Sequence, residues 1–167
     1  MSTLDATHGL INSEQGKLLE VEKLHTRVLS GYEEALEANQ MSTLRAINNL
    51  GIRYSEQGNF EEAEEMFTRA LRGYKEVLGA KHTSTLDAVN NLGNIYMEQG
   101  KLLGAEEMHV QALRGYEEAL GSKHTSTLLA INNLAKIYRK QGKLKEAEEM
   151  SMRVRLLKVT MKLAWLF

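Results

Sequence analysis

The chain has no cysteine and no proline among its 167 residues, and its formal net charge is −1. Without cysteine there is no disulfide framework, no thiolate metal site and no thiol nucleophile. The same absence fits a reducing, cytoplasmic setting. Without proline nothing breaks a helix from inside. The near-neutral charge argues against nucleic acid or an acidic membrane as the main partner. No run of about 18 apolar residues could span a bilayer, and no signal pattern opens the chain. Hydrophobic residues make up 43% of the chain, enough for a folded core and too much for a disordered one.

What is present is a repeat. Residues 42–83, beginning Ser42-Thr43-Leu44, recur as residues 84–125 with 27 of 42 positions identical. A third copy starts at Ser126 and decays after Met150. Gln15-Gly16, Gln57-Gly58, Gln99-Gly100 and Gln141-Gly142 keep the frame at intervals of 42. A fixed period of this size marks stacked structural repeats. The units read as a degenerate first repeat (1–41), two full repeats (42–83 and 84–125), a truncated fourth (126–155) and an apolar C-terminal tail (156–167).

Within one unit, Ala46, Ile47, Leu50, Gly51 and Tyr54 fall on one side of a helix. Ser84 with Asp87 resembles a capping box for the equivalent helix, and Ser42 can cap its own. Gly58 and Asn59 predict a stop and a turn. A second helix follows from about Phe60 to Leu78, with Ala63, Phe67, Ala70, Leu71, Tyr74 and Leu78 in its stripe, and Gly79 as C-cap. Gly51, Gly93 and Ala135 on the first helices, and Ala63, Ala105 and Ala147 on the second, permit close approach. One hairpin buries little alone; stacked hairpins close a shared core. The expected fold is all-α, a right-handed superhelical solenoid of about four antiparallel helix pairs.

The two ends depart from the pattern. In the first unit His8 and Asn12 stand at core positions, which predicts a short or irregular helix before a sound one over 17–36. After Arg155 the chain turns apolar, with Leu156, Leu157, Val159, Leu163, Trp165, Leu166 and Phe167. Such a patch marks an interface or a cover over the last hairpin.

Leu50-Gly51, Tyr54, Gly58, Ala63, Phe67 and Ala70 match the tetratricopeptide repeat (TPR) in order and spacing. The matches recur as Leu92-Gly93, Tyr96, Gly100, Ala105 and Ala112, then as Leu134-Ala135, Tyr138, Gly142 and Ala147. The 42-residue period, with its NNL, YxxQG, AEEM and LGxxHxST signatures, resembles the longer repeat of kinesin light chains and of fungal TPR arrays. It departs from that pattern at Thr83 and Thr125, which replace the proline usual after the loop histidine. No long heptad segment of a light chain is present. The resemblance implies a non-catalytic scaffold that holds a peptide or partner helix in a concave groove lined by the first helix of each unit.

Opposite the core stripe, that helix presents Arg45, Asn48, Asn49, Ile52 and Glu56. The equivalents are Asp87, Asn90, Asn91, Asn94 and Glu98, then Leu129, Asn132, Asn133, Lys136 and Lys140. An amide side chain both donates and accepts, so it can pair with a peptide backbone; the alternative is a solvated face copied by duplication. Lys136, Arg139, Lys140, Lys143 and Lys145 make the fourth unit basic and would favour a ligand with an acidic end there. The Glu61-Glu62, Glu64-Glu65, Glu106-Glu107 and Glu148-Glu149 pairs suit the positive start of a helix rather than a metal. His82 and His124 sit one repeat apart, too far to share a metal, and read as loop packing residues; His8, His25 and His109 share no cluster with them. No nucleophile–base pair or phosphate loop is present. The expected protein is therefore not an enzyme and has neither cofactor nor metal. Its partner is a protein or peptide, not nucleic acid or membrane. The alternatives are self-association through the C-terminal tail as a structural segment, or a fragment of a larger nucleotide-binding (NB-ARC or NACHT) TPR regulatory protein.

Overall fold

The structure, a computed structural model, describes residues 20, 22–27 and 40–163. Six helices follow one another in pairs: α1 (Gln40–Glu56), α2 (Phe60–Leu78), α3 (Thr83–Glu98), α4 (Leu102–Leu120), α5 (Thr125–Lys140) and α6 (Leu144–Leu163). Residues 22–27 ahead of them are helical, and no strand occurs among the described residues. The expected all-α solenoid is what forms. The irregular first helix, the rest of the span 17–36, and the tail residues Trp165, Leu166 and Phe167 lie outside the described residues.

Each pair closes where small residues meet large ones. A Cβ built on Gly51 would stand 2.9 Å from the Phe67 ring, and one on Gly93 would stand 2.9 Å from the His109 ring. In the third pair the corresponding residues are Ala135 and Ser151, so a methyl appears where the opposing side chain is small. Ala63, Ala105 and Ala147 are buried as expected. Neighbouring pairs share their cores. Ala88 of α3 packs with Leu44, Ile47 and Tyr74, and Leu92 and Ile95 of α3 pack with Ala63 and Phe67. The interior helix α3 is accordingly buried on more than one side, at Thr85, Leu86, Ala88, Val89, Leu92, Gly93, Ile95 and Met97. A single-stripe reading misses the STL leucines Leu44, Leu86 and Leu128, all of which are core.

The loops correct two expectations. Ser84 does not cap α3. The N-cap is His82, whose Nδ1 accepts from the Ser84 backbone N–H at 3.2 Å, and His124 does the same for Ser126 at 3.2 Å. These histidines are exposed caps, not loop packing residues. Ser42 lies inside α1 and caps nothing. The packing falls to the following threonines: Thr85 and Thr127 are buried and donate from Oγ1 to the carbonyls of Gly79 and Gly121 at 2.8 Å. Those two glycines end α2 and α4 at φ 86° and 87°, where a side chain is disfavoured. The loop is thus tied by a threonine six residues on, and a proline is not needed to fix it.

Candidate partner-binding surface

The backbones of α1 and α3, and of α3 and α5, approach one another directly, whereas those of α2, α4 and α6 approach only the first helices. The array therefore curves with the first helices on its inner side. A polar ladder joins those helices. Asn91 Nδ2 donates to Asn48 Oδ1 at 3.4 Å, and one repeat later Asn133 Nδ2 donates to Asn90 Oδ1 at 3.4 Å and Asn94 Oδ1 at 3.2 Å. Asn90 Oδ1 also lies 3.1 Å from His109 Nδ1. With the amide oxygen as acceptor, Nδ1 carries the ring proton and Nε2 carries none. Nε2 is buried with no partner. Burial, with Lys136 nearby, lowers the His109 pKa to about 4; an imidazolium there would lose its water without gaining a counter-charge.

A second ladder runs along the turns. Gln99 Nε2 donates to the Glu64 carboxylate at 2.9 Å and to the Phe60 carbonyl at 3.3 Å, and Lys101 Nζ meets the same carboxylate at 2.8 Å. The next repeat copies the arrangement. Gln141 Nε2 reaches Glu106 at 2.8 Å and the Leu102 carbonyl at 3.4 Å, and Lys143 Nζ reaches Glu106 at 3.0 Å. Each lysine also lies over a tyrosine ring, Lys101 at 5.2 Å from Tyr96 and Lys143 at 5.4 Å from Tyr138. The lysine and glutamine hold the Glu64 carboxyl below the usual carboxylate range. Glu106 is lowered too, its glutamine and lysine outweighing burial, which acts in the opposite sense. At the start of the array Gln57 Nε2 reaches Glu22 at 3.5 Å, and Asn59, standing where later units have lysine, donates to Gln57 instead. Replacing Glu106 by Ala takes from Lys143 its carboxylate partner and from Gln141 one of its two acceptors. It is expected to lower stability by about 1 kcal/mol, part of it lost in salt. Urea midpoints for Glu106→Ala beside Glu107→Ala, at low and high salt, check this; Glu107 is exposed and should be near neutral.

Sequence profiles described as tetratricopeptide repeat match residues 43–84 and 78–155. The chain belongs to the tetratricopeptide-repeat family. No curated protein matches the sequence. Among solved structures, the TPR array resembles a Podosopora anserina candidate kinesin light chain with nearly identical TPR-like repeats. That match has TM-score 0.75 and 26% identity, and it covers 89% of this chain and 70% of the other. It also resembles BtubC (BKLC) from P. vanneervenii, with TM-score 0.81, 20% identity, and 89% and 58% covered. The apo form of RapI matches with TM-score 0.76, 19% identity, and 92% and 54% covered. The last two likenesses concern the fold. The Podosopora anserina likeness, together with the family matches and the 42-residue units, makes this a kinesin-light-chain-like TPR protein.

Within the TPR array, Arg45, Asn49 and Ile52 of α1 are exposed, as are Asp87 of α3 and Lys136 and Lys140 of α5. Asn48, Asn90, Asn91, Asn94, Asn132 and Asn133 are half-buried. Five of these six, all but Asn132, belong to the ladder. Asp87 accepts from the Tyr116 hydroxyl at 2.6 Å; burial, then Asp87, drives that hydroxyl's pKa up. Of the basic group on the fourth unit, Arg139 donates to Ser151 at 2.7 Å and Lys143 holds Glu106. Sequence reasoning missed both ladders and the burial of His109. The signal was there: the glutamine and glutamate of each clamp lie 35 residues apart in three successive units. Among the described residues no three His, Asp or Glu side chains are grouped to hold a metal ion. No described helix is long and apolar enough to cross a membrane.

Proposed function

We propose that the chain is a non-catalytic interaction scaffold whose inner surface, formed by α1, α3 and α5, holds an extended peptide or partner helix. The observation that carries this reading is the direct contact of the three first helices, which makes their exposed residues one continuous strip. Arg45, Asn49, Ile52 and Glu56 begin it, Asp87 and Glu98 continue it, and Leu129, Lys136 and Lys140 end it. The strip runs from mixed charge on α1 and α3 to basic on α5, so it suits a ligand whose acidic end lies over α5. Asn49 and the half-buried edges of Asn91 and Asn133 offer amides to a peptide backbone.

Because Asn91 and Asn133 also tie the helices together, changing them would mix stability with binding. Exposed residues make the cleaner test. A photo-crosslinking residue at position 49 or 136 should capture one partner that the same residue at 65 or 107, on the second helices, does not. The triple variant Ile52→Glu, Lys136→Glu, Lys140→Glu should weaken capture at least tenfold while its circular dichroism stays unchanged. Undiminished capture by a folded triple variant overturns the groove assignment.

A further inference from the structure

The last helix carries a feature the groove does not use. α6 continues without a break through Arg155 to Leu163. One side of its later turns faces the core: Val154 is buried, and Met150, Leu157 and Met161 pack against it. On the opposite side Met152, Leu156, Val159 and Leu163 are between 50% and 63% exposed. Their spacing is four, three, four. At 100° per residue they fall within an arc of about 60°, a narrow a/d seam rather than a broad apolar face. The equivalent positions are Thr68, Arg72 and Lys75 on α2 with its C-cap Gly79, and Val110, Arg114 and Glu117 on α4 with its C-cap Gly121. The seam is peculiar to the last unit.

Its borders are basic. Arg155, Lys158 and Lys162 lie along one side and Arg153 along the other. No acidic residue follows Glu149 in the chain, although the chain as a whole is slightly negative. Arg153 is bonded to Glu117 of α4; Arg155 and Lys162 occupy the positions that would face a partner helix across the seam. A second copy of α6 would bring like charges together. An antiparallel pair sets Arg155 against Lys162, and a parallel pair finds no acidic residue to meet either. A helix with an apolar a/d stripe and glutamate or aspartate beside it satisfies both the seam and its borders.

We propose that the outer face of α6, from Met152 to Leu163, docks an acidic amphipathic helix of another protein by short coiled-coil pairing. The seam spans about 17 Å at 1.5 Å per residue, so the contact is small and the complex transient. The surface belongs to a second helix and is separate from the groove.

The probes are two synthetic helices of about three heptads, both with leucine at a and d. One carries glutamate at e and g, the other lysine. Fluorescence anisotropy with the full chain should show the glutamate helix binding at least tenfold more tightly, and weakening as salt rises. Leu156→Gln with Val159→Gln should abolish binding, and both positions are exposed enough to leave the fold intact. Arg155→Glu with Lys162→Glu should reverse the preference. Equal binding of the two helices overturns the proposal. So does a dimer of the chain alone that Leu156→Gln dissolves, which would make a second copy the occupant. Adsorption to phosphatidylserine vesicles without binding of the glutamate helix also overturns it.

Discussion

Lowering the pH from 7 to 4.5 is expected to destabilise the protein by about 2 kcal/mol, and His109→Phe is expected to remove most of that loss. His109 is fully buried against Gly93 and holds its pKa near 4. In the unfolded chain an imidazole titrates near the ordinary 6.5. Between those values the unfolded state binds a proton that the folded state refuses, so stability falls as pH falls through the window. The contribution is fully present above about 6.5. Phenylalanine already occupies the equivalent place one repeat earlier, where Phe67 covers Gly51 with the same 2.9 Å approach, so the substituted ring has room. Asn90 Oδ1 would keep its bond from Asn133. Glu64 and Glu106 have lowered pKa values, so their contribution is lost only as pH drops below the ordinary carboxylate range. That separates the two effects: the slope from 6.5 to 4.5 belongs to His109, and the steeper loss beneath it to the clamps. Urea midpoints of both proteins across this range test the assignment. Parallel curves would show that His109 is not the group responsible.

The largest loss from a single change is expected at Leu86. It is buried at the centre of the middle pair. Leu86→Ala should cost about 2–5 kcal/mol, or a fall in Tm of roughly 2–4 °C for each kcal/mol in a chain of this size. The same leucine explains Gly115. A Cβ on Gly115 would lie 2.2 Å from Leu86 Cδ2, so Gly115→Ala forces the leucine aside and costs about 1–3 kcal/mol. The better helix propensity of alanine offsets roughly 1 kcal/mol of that. The double variant is the informative one. With Leu86 cut back to alanine, the new methyl at 115 no longer clashes and partly fills the gap. The double change should therefore be less destabilising than the sum of the single changes by about 1 kcal/mol or more. Strict additivity would mean that the two residues do not share the space assigned to them.

The helices, the turns at Gln-Gly and the paired stacking were legible because the same spacing is printed three times, and chance conservation of an apolar stripe over 42-residue intervals is hard to obtain. What the stripe could not reveal is the environment on a helix's other sides. Asn90 and Asn91 look like solvent-facing amides on a helical wheel. They are half-buried because the neighbouring first helices lie against them, α1 at Asn91 and α5 at Asn90, and those positions follow from stacking rather than from the helix itself. His109 carried no signal of burial, being polar where its counterparts are phenylalanine and serine. Its depth follows from Gly93 across the pair. His82 was misread for the opposite reason: its recurrence suggested packing, but a residue recurs equally well when its task is to cap an exposed helix start. The seam on α6 was legible as apolar sequence, while its narrowness and basic borders required knowing which side of the helix faces the core.

The size-matched contacts, Phe67 on Gly51 and His109 on Gly93, lie inside single units, whereas the glutamine–lysine clamps of Gln99 and Gln141 and the Asn91–Asn48 and Asn133–Asn90 rungs cross between units with matching residue types. Every unit is thus fitted to itself and generic to its neighbours, like a tile whose picture is private and whose edges are standard. Removing residues 84–125 as a block would bring Gln141 and Lys143 to Glu64, and Asn133 to Asn48, in place of the partners they replace. A gene built this way can gain or lose a whole unit by unequal recombination without stranding a buried polar group at the joint. Its reach along a ligand can change in steps of one repeat while the interior of each repeat goes on diverging.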